Sequence, residues 1–355
     1  MRVAQIAPLY ERVPPLLYGG TERVVSYVTE ELVRRGHDVT LYASGDSLTR
    51  ARLEANCPRG LRLDAGTLDP LVSHFRMLAM AYREARAFDV IHCHVDYLCL
   101  PFARAVAVPT VVTLHGRLDI PELGPLYSEY RDVPLVSISN AQRAPLPDAS
   151  WLATVYHGVP AELHHFVAEP SDYLLFLGRI SPEKCPDVAI RVAIRAGVRL
   201  RIAAKVDPVD QVYFEQTIRP LLDHPLIEFL GEAGDADKDV LLGHARALLF
   251  PIDWPEPFGL VMIEALACGT PVIARRRGSV PEVIRSGETG FVCDTEDEMV
   301  DAVRRVDSID RAHCRTMFER NFSVSRMTDR YLTVYEQLVE GVSVAVEPSR
   351  PHGVA

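Results

Sequence analysis

A rigid loop late in the chain holds one carboxylate in a fixed position. Pro255 and Pro257 flank Glu256, and each proline fixes its own backbone φ, so the loop is stiff around that carboxylate. Gly259 follows in the same loop and allows the backbone to approach a ligand without an intervening side chain. A polar small molecule is the kind of ligand that such a loop can hold.

The residues after this loop are predicted to start a helix. The backbone amides of Gly259, Leu260 and Val261 would be unpaired donors at its first turn, which is a favourable place for anionic oxygen. Glu264 lies about one and a half turns further along. Gly269 ends the helix. One stretch therefore predicts a carboxylate, an anion-binding helix start and a second carboxylate.

Two cations lie on another predicted strand-to-helix loop. Arg179 follows a predicted strand, and Lys184 precedes a helix. An arginine fork and a lysine point charge can together bind a diphosphate. A surface salt bridge with Glu183 is the alternative, and it is favoured if this pair is considered alone. The predicted helix start after Gly259 favours the diphosphate interpretation over the salt bridge. Two cations and a helix start are what a departing diphosphate requires, because charge develops on that group as its bond breaks.

The composition limits the class of protein. The chain has 355 residues, 48% of them hydrophobic, and a formal net charge of −10, which indicates a soluble globular protein of two domains and argues against a nucleic-acid partner. No apolar run approaches the roughly 20 residues of a membrane span, and no signal-peptide pattern begins the chain. Seven scattered cysteines favour a reducing compartment, so we expect a cytoplasmic protein.

The first part of the chain predicts a βαβ unit. A strand over Arg2–Ala7 precedes Gly19 and Gly20, and Thr21 is positioned to cap a helix over Glu22–Arg35. The two glycines fit a tight turn and a close approach to a substrate equally well. No G-x-G-x-x-G sequence is present, which disfavours a dehydrogenase.

Polar residues repeatedly follow apolar strands in the rest of the first half. They are His94, His115 and Asn140, after strands predicted to begin at Val90, Thr110 and Pro134, with another strand at 154–156. In a doubly wound sheet, the carboxyl ends of the strands face the ligand crevice. The alternation restarts at Tyr173, after a polar crossing over 159–172, and includes a helix over 213–222. The fold class predicted from this pattern is α/β with two halves.

Two apparent metal-binding patterns have simpler explanations. Strand alternation places Cys93 on the face opposite to His92 and His94. The Asp235-Ala236-Asp237 sequence precedes a predicted helix, so capping explains it. We therefore expect no metal site.

Taken together, these motifs resemble the retaining glycosyltransferases of family four. The matching elements are Gly178-Arg179 with Glu183-Lys184, the run from Glu256 to Ala274, Pro281-Glu282, and Gly287-Glu288-x-Gly290-Phe291. The resemblance covers nearly the whole chain and is strongest over 173–293. It implies the GT-B architecture, with two Rossmann-like, doubly wound parallel-sheet domains facing a central cleft.

The resemblance also implies a division of the chain. Residues 1–165 would form an acceptor-binding domain, and residues 170–322 a nucleotide-sugar-binding domain. A C-terminal helix over 323–340 would pack back on the N-domain, and the tail 341–355 is expected to be disordered, since it is rich in proline and serine.

Individual roles follow from the same resemblance. Arg179 and Lys184 would hold the donor diphosphate, Glu256 would bind hydroxyls of the transferred sugar, and His115 would contact that sugar; these four form the expected catalytic set. Glu264 would bind the ribose. The remaining expected donor-binding residues are Gly19, Gly20, Lys205, Glu232, Phe258, Gly259, Leu260 and Val261. His94 and Asn140 are the expected acceptor residues.

The sequence departs from the family pattern at two of these places. Cys185 stands after the lysine where the family usually has glycine. Gly116 follows His115 where aspartate is common, which removes the usual carboxylate support of that histidine.

The function implied is retaining, metal-independent transfer of a hexose-type sugar from a UDP- or GDP-sugar to an acceptor hydroxyl, without a protein nucleophile or cofactor. The expected partners are the nucleotide sugar and a glycan, natural-product or other small-molecule acceptor, with no nucleic acid and at most peripheral membrane contact. Two alternatives remain open: a nucleotide-sugar epimerase or phosphorylase on the same fold, and an inactive glycosyltransferase-like binding subunit.

Overall fold

The chain folds into two compact units. The structure, a computed structural model, describes residues 1–17, 19–64 and 66–341, without the side chains of residues 63, 235 and 236. The first unit contains Met1–Gly158 and the chain from Val324 onward, and the second contains Val159–Ser323. The division between the units falls at the start of the polar crossing expected over 159–172. The tail expected to be disordered lies, from residue 342 onward, outside the described residues.

The first unit is built on a seven-stranded parallel sheet with the order β3-β2-β1-β4-β5-β6-β7. Its central strands are buried along their length, as expected for a parallel sheet covered on both faces. The strands are β1 Arg2–Ile6, β2 Asp38–Ala43, β3 Arg52–Ala55, β4 Val90–Cys93, β5 Thr110–Thr113, β6 Leu135–Ser137 and β7 Trp151–Thr154.

The edge strands are where the sequence-based prediction fails. The sequence analysis missed β3 because its residues are partly exposed and two of its four are charged. The strand expected at 154–156 instead ends at Thr154; Val155 still donates to the carbonyl of Ser137 at 2.8 Å before the chain leaves the sheet. An edge strand is buried on fewer sides, so its apolar pattern is weaker.

Four helices cover this sheet within residues 20–129. They are α1 Gly20–Arg34, α2 Pro70–Arg83, α3 Leu100–Arg104 and α4 Leu123–Glu129. Thr21 was expected to cap α1, but the helix already begins at Gly20, and Gly19 is the capping residue, without a side-chain hydrogen bond.

The second unit has a six-stranded parallel sheet with the order β10-β9-β8-β11-β12-β13. The strands are β8 Tyr173–Ile180, β9 Arg199–Val206, β10 Ile227–Gly231, β11 Ala247–Phe250, β12 Val272–Arg275 and β13 Gly290–Cys293. The helices are α5 Pro186–Ala196, α6 Gln211–Tyr213, α7 Asp235–His244, α8 Leu260–Ala267, α9 Val280–Val283, α10 Glu296–Arg305 and α11 Arg311–Asn321. Two doubly wound parallel sheets were predicted, and this prediction is confirmed.

The helix predicted over 213–222 is present, but it is not a regular α-helix. After the short α6, the chain forms a π turn at Phe214–Ile218 and a 3-10 turn at Arg219–Leu221. Pro220 explains the change, because proline lacks a backbone N–H and its ring clashes with the preceding turn of an α-helix.

The last described helix, α12 Val324–Val339, belongs to the first unit. Arg35 at the end of α1 forms an ion pair with Asp329 at 2.6 Å and donates to the carbonyl of Ser325 at 2.9 Å. Tyr331 and Tyr335 of α12 are fully buried. None of the described helices combines the length and the apolar character that crossing a bilayer requires.

Each sheet reverses its strand order at one point. In the first sheet β1 lies beside β4, and in the second β8 lies beside β11, so successive crossover connections leave in opposite directions there. The carboxyl ends of such a strand pair border the crevice in which doubly wound folds bind ligands. The predicted site residues therefore need to lie after β1, β4, β8 and β11.

We expect Arg311 to be the buried cation on which the second unit depends most. Its guanidinium donates to the carbonyls of Val167, Gly243 and Ala245 and to Thr270 Oγ1, at 2.6–2.9 Å. Arg311→Met should lower the free energy of unfolding in urea by about 3 kcal/mol or more, because three carbonyls lose their donors.

The matched control is Arg304→Met on the neighbouring helix. Arg304 pairs with Asp301 at 2.8 Å, and both side chains are more than 60% exposed. Its loss should change the unfolding free energy by no more than about 0.5 kcal/mol. Equal effects of the two substitutions would contradict the role assigned to Arg311.

Candidate active site

In the second unit, the central pair of strands brings a lysine to a glutamate. Arg179 lies at the end of β8, and Lys184 lies in the 3-10 turn before α5. Glu256 comes from the loop after β11, the neighbour of β8. Lys184 Nζ forms an ion pair with Glu256 Oε2, and the two side chains are only 17% and 11% exposed. Residues 72 apart in sequence therefore meet because parallel strand ends converge.

Glu256 is held on several sides by groups that the sequence analysis did not single out. Trp254 Nε1 donates to Glu256 Oε2 at 2.9 Å. The amide of Ser279 donates to the backbone carbonyl of Glu256 at 3.0 Å. Gly278 has φ +50°, and a Cβ there would overlap the backbone of Glu256. The Arg-Gly-Ser turn at 277–279 was a possible signal, because a glycine between polar residues suggests close backbone approach.

The predicted helix start is present as α8. Gly259 precedes it with φ +79°, in the left-handed region, and a Cβ there would lie 2.9 Å from the Met262 methyl group. Phe258 is buried, and its carbonyl accepts from Ser279 Oγ at 2.7 Å. The amides of Leu260 and Val261 form the first turn of α8, where backbone donors are available to an anion. Glu264 lies in the middle of this helix.

Arg179 lies among three carboxylates. Its guanidinium is 3.3 Å from Glu183, 3.6 Å from Asp207 and 3.8 Å from Asp210. The salt bridge with Glu183 considered as the alternative is therefore formed, whereas Lys184 is paired with Glu256. Lys205 lies at 2.8 Å from Asp207. The structure thus brings Arg179 and Lys205 to one shared counter-ion, Asp207.

Asp207 and Asp210 were not predicted from the sequence. A signal was available, because Asp207 directly follows the end of β9 beside Lys205, and Asp210 lies in the same loop. Burial raises the pKa of Asp210 above its ordinary value. Burial acts in the same direction on Asp207, but hydrogen bonds and charges from Lys205 and Arg179 outweigh it and lower the pKa of that carboxyl.

The structure also gives the location of Glu232 and the backbone conformation of Cys185. Glu232 lies directly after β10 and is exposed. Cys185 has φ +51°, a left-handed conformation that explains why glycine is usual at this position. Its thiol is buried and donates to the carbonyl of Pro182 at 3.1 Å.

In the first unit, two predicted histidines are hydrogen-bonded to each other. His94 follows β4, His115 follows the neighbouring β5, and His94 Nδ1 lies 2.9 Å from His115 Nε2. The other nitrogen of His94 lies 2.9 Å from Gln5 Oε1, and its side chain is 1% exposed. The structure therefore places His94 behind His115, as its support, and not at an exposed surface.

The remaining first-unit positions lie in the loops after β1 and β6. Asn140, after β6, donates to Tyr156 Oη at 3.1 Å and accepts from Thr154 at 3.2 Å. Gly19 packs against Pro15, with a hypothetical Cβ only 2.7 Å from the proline ring, and Gly20 begins α1 after the β1 loop. The tight-turn interpretation of the glycine pair thus has a packing reason, and ligand approach stays a prediction.

The apparent metal motif at residues 92–94 is divided between two faces of its strand. The His92 and His94 rings lie 3.9 Å apart, whereas Cys93 packs in the hydrophobic core, with Tyr82 Oη 3.8 Å from its sulfur. Both ring nitrogens of His92 lie at hydrogen-bond distance from hydroxyls. The side chain of Asp235, for which capping was expected, lies outside the described residues.

A third cluster, unnoticed in the sequence, contains His164, Asp239 and Cys268, with ligand-type atoms within 4.8 Å of one another. The Cys268 thiol donates to Asp239, and His165 binds the same carboxylate through its amide at 2.8 Å and its ring at 2.7 Å. His164 Nδ1 lies 4.0 Å from the Cys268 sulfur and 3.8 Å from Asp239 Oδ1, so contacts around the Asp239 carboxylate and the Cys268 thiol account for the proximity of the three residues.

Two models of known protein families match the chain. Residues 18–165 match the family described as Glycosyltransferase Family 4, and residues 164–319 match Glycosyl transferases group 1. Together the matches span most of the chain. The chain belongs to the family-four glycosyltransferases.

Its relatives and structural neighbours are consistent with that membership. The chain is 26% identical to a glycogen synthase of Mycobacterium tuberculosis, over 84% of this chain and 83% of the relative. It is 26% identical to a D-inositol 3-phosphate glycosyltransferase of Acidothermus cellulolyticus, over 79% and 75%. The crystal structure of AviGT4, a glycosyltransferase of avilamycin A biosynthesis, superposes with a TM-score of 0.72 at 23% identity, covering 96% of this chain and 99% of AviGT4.

A further structural neighbour was crystallised with a nucleotide. Anabaena Alr3699/HepE, in complex with UDP and glucose, has a TM-score of 0.73 at 17% identity over 95% of this chain and all of that chain. These likenesses establish the GT-B fold for this protein.

The buried histidines predict a pH-dependent stability. Burial lowers the pKa of His115 from 6.5 to about 3, and burial also lowers the pKa of His92 and His94 well below 6.5. Below pH 6.5 these histidines are therefore protonated in the unfolded chain but stay neutral in the folded chain. The free energy of unfolding consequently decreases as the pH is lowered from 6.5 towards 3. Each such histidine should cost about 1.4 kcal/mol per pH unit in that window.

Urea unfolding at pH 7.5 and pH 5.5 measures this effect. His115→Gln should reduce the loss of stability between these pH values by about 1.4 kcal/mol, because glutamine does not titrate. His313→Gln, a substitution in a side chain that is 40% exposed, is the control and should leave the loss nearly unchanged. An unaltered loss in His115→Gln would contradict the assignment.

Gly278 should be essential for the position of Glu256. In Gly278→Ala the new methyl group meets the Glu256 backbone and lies 2.8 Å from the Pro255 carbonyl carbon, so the loop must move. We expect a loss of sugar transfer that exceeds the loss of stability.

Gly287→Ala is a matched control. Gly287 also has a positive φ, +85°, but nothing lies within 4 Å of its added Cβ. It should cost about 1 kcal/mol in urea unfolding and leave transfer almost unchanged. Comparable transfer rates in the two variants would show that Gly278 does not control Glu256.

Proposed function

We propose that this chain is a retaining hexosyltransferase that moves a sugar from a UDP- or GDP-sugar to an acceptor hydroxyl without a metal ion. The observation that carries the proposal is the Lys184–Glu256 ion pair beside the start of α8. It joins a cation suited to a phosphate with a carboxylate suited to sugar hydroxyls, next to backbone donors for anionic oxygen.

The second unit would bind the donor. Arg179, Lys184 and the first amides of α8 would stabilise the charge that develops on the diphosphate as the bond to the sugar breaks. Arg179 now lies near three carboxylates. A diphosphate carries more anionic oxygens than any one of these carboxylates, so it can compete for the guanidinium. Glu264 would bind the ribose, and Lys205 and Glu232 would lie along the nucleotide.

These groups supply the positive charge that a metal ion provides in other sites, which is why we propose a metal-independent reaction. The amides at the start of α8 are fixed by the fold before substrate binds, so they need little reorganisation when charge develops. No cofactor is needed for a transfer in which both electrons of the broken bond stay with the leaving phosphate.

Glu256 would position the sugar and would not attack it. Its Oε2 is engaged by Lys184 and by Trp254 Nε1, which lowers its nucleophilicity and fixes it as a hydrogen-bond acceptor. Retention would follow from attack on the same face as departure: the bond from the anomeric carbon to the diphosphate oxygen breaks, the bond to the acceptor oxygen forms, and the acceptor proton passes to the leaving phosphate. His115 would contact the transferred sugar.

The first unit would bind the acceptor. Two relatives of this protein are named for different acceptors, a glycogen chain and an inositol phosphate. The chemistry that these acceptors share is a hydroxyl of a carbohydrate or another small molecule. We propose such an acceptor, with Asn140 among the residues near it, and a cytoplasmic location with no nucleic-acid partner and at most peripheral membrane contact. UDP is favoured over GDP because the Anabaena neighbour was crystallised with UDP.

Replacement of Glu256 tests this function. Glu256→Gln should lower the turnover number for transfer from the donor by on the order of 100-fold, because a neutral amide holds neither Lys184 nor the sugar hydroxyls as the carboxylate does. Binding of the nucleoside diphosphate, measured by calorimetry, should change little. Release of free nucleoside diphosphate from UDP-glucose or GDP-mannose, with a panel of sugar and polyol acceptors, measures the turnover.

Controls separate the alternatives. Glu298→Gln, at the exposed start of α10, should retain full activity. Release that requires an acceptor supports a transferase, whereas interconversion of nucleotide sugars without an acceptor would replace the proposal with an epimerase. Full transfer activity in Glu256→Gln would reject the role given to that residue.

A further inference from the structure

The candidate active-site histidine stands at one end of a buried chain of hydrogen bonds. The chain runs from His115 Nε2 to His94 Nδ1 at 2.9 Å, and from His94 Nε2 to Gln5 Oε1 at 2.9 Å. It continues from Gln5 Nε2 to Tyr335 Oη at 3.0 Å. Gln5, His94 and Tyr335 are all at most 1% exposed, so water does not compete for these groups.

The chain continues beyond Tyr335. Tyr335 Oη lies 2.6 Å from His92 Nδ1, and His92 Nε2 lies 2.7 Å from Thr113 Oγ1, which lies 3.2 Å from Tyr331 Oη. Each hydroxyl in this series can donate a hydrogen bond and accept one. Each ring nitrogen of a neutral histidine, and each polar atom of an amide, can do only one of the two. The proton positions along the whole chain are therefore coupled.

We propose that Gln5, acting through His94, determines which ring nitrogen of His115 carries the proton, and that Tyr335 of α12 holds the Gln5 amide in the required orientation. Gln5, His94 and Tyr335 are positioning residues in this scheme. The expected effect on catalysis rests on the role proposed above for His115. The assignment of the His115 tautomer does not depend on that role.

The assignment follows from donor and acceptor counts. The amide oxygen of Gln5 faces His94 Nε2, so that nitrogen must carry the proton of His94. Both histidines are neutral, since burial lowers their pKa, and a neutral ring has a single N–H. His94 Nδ1 is therefore an acceptor, and His115 Nε2 must donate to it. The proton of His115 is on Nε2, and Nδ1 carries a lone pair.

The reversed polarity is the alternative to consider. If the Gln5 amide were turned over, every bond would reverse and His115 would carry its proton on Nδ1. That nitrogen is buried and has no hydrogen-bond partner among the described residues. A buried N–H without an acceptor is rarer and more costly than a lone pair without a donor. The surroundings of His115 therefore favour the polarity that leaves the lone pair on Nδ1.

This polarity gives His115 a defined function. A lone pair on Nδ1 accepts a hydrogen bond from a sugar hydroxyl and donates none. The common family arrangement, an aspartate directly after the histidine, is absent because Gly116 occupies that position. A chain of uncharged groups that ends on the C-terminal helix would thus replace it in orienting the histidine.

Nitrogen NMR of the full-length, nucleotide-free protein tests the tautomer. With 15N-labelled histidine at neutral pH, His115 is expected in the Nε2–H form, assigned by its loss in His115→Gln. Gln5→Leu should give a mixture of both forms, because His94 then has no acceptor to fix it. Tyr335→Phe, which keeps the ring and removes only the hydroxyl, should give a smaller shift in the same direction and guards against misfolding of Gln5→Leu.

Tyr42→Phe is the matched control. Tyr42 is also fully buried, but its hydroxyl donates to Glu84, which does not belong to the chain of hydrogen bonds. The His115 tautomer should therefore not change. An Nδ1–H form of His115 in the unaltered protein, or an unchanged tautomer in both Gln5→Leu and Tyr335→Phe, would overturn the proposal. So would an equal change in Tyr42→Phe.

Transfer kinetics test the catalytic consequence separately. Gln5→Leu should lower kcat about tenfold, which corresponds to loss of one hydrogen bond of ordinary strength, with little change in nucleoside-diphosphate binding. If the tautomer changes as expected but His115→Gln keeps full activity, the proposed role of His115 fails while the positioning chain stands. If His115→Gln is impaired and Gln5→Leu is not, the positioning role in catalysis is wrong.

Discussion

The Lys184–Glu256 ion pair is the interaction on which the candidate donor site depends. Its two partners come from the loops after adjacent strands of a parallel sheet, and neither loop contains both charges. Because the side chains are mostly buried, each charge is stabilised mainly by the other, and the Glu256 carboxylate also accepts from the Trp254 N–H group. Loss of either partner would leave an uncompensated charge in a poorly hydrated place, which is more costly than loss of an exposed pair.

This pair also explains the surrounding backbone. Glu256 reaches Lys184 only if its loop passes close over residues 278 and 279, where the absence of a side chain at Gly278 makes room. The Ser279 amide and hydroxyl then bind the carbonyls of Glu256 and Phe258. The strand end, the loop and the start of α8 are thus fixed together, so that a carboxylate, an ammonium group and backbone donors occupy one place before any ligand arrives.

In the first unit the buried histidines are neutral, and hydrogen bonds must orient them. Its buried histidines have lowered pKa values and cannot be held by charge. Hydrogen bonds from β1, β4, β5 and α12 hold them instead. The C-terminal helix therefore contributes polar groups to the interior of the first sheet, in addition to the apolar surface that it buries. The cost is a fold whose stability falls as the pH drops below 6.5, since every one of these rings must remain uncharged.

The sequence by itself determined the fold class and pointed to several residues of the candidate donor site. Apolar strands followed by helices gave two doubly wound sheets, because a parallel sheet buried on both faces imposes that pattern. Arg179, Lys184, Glu256 and Gly259 were found because they lie at strand ends with strong local signals. Only the tertiary structure decided which charges meet, that Asp207 and Asp210 share Arg179, that Gly278 supports Glu256, and that His94 lies behind His115. Those facts depend on side chains from distant strands, and their distances are set by sheet order and packing, which leave no periodic trace in the sequence.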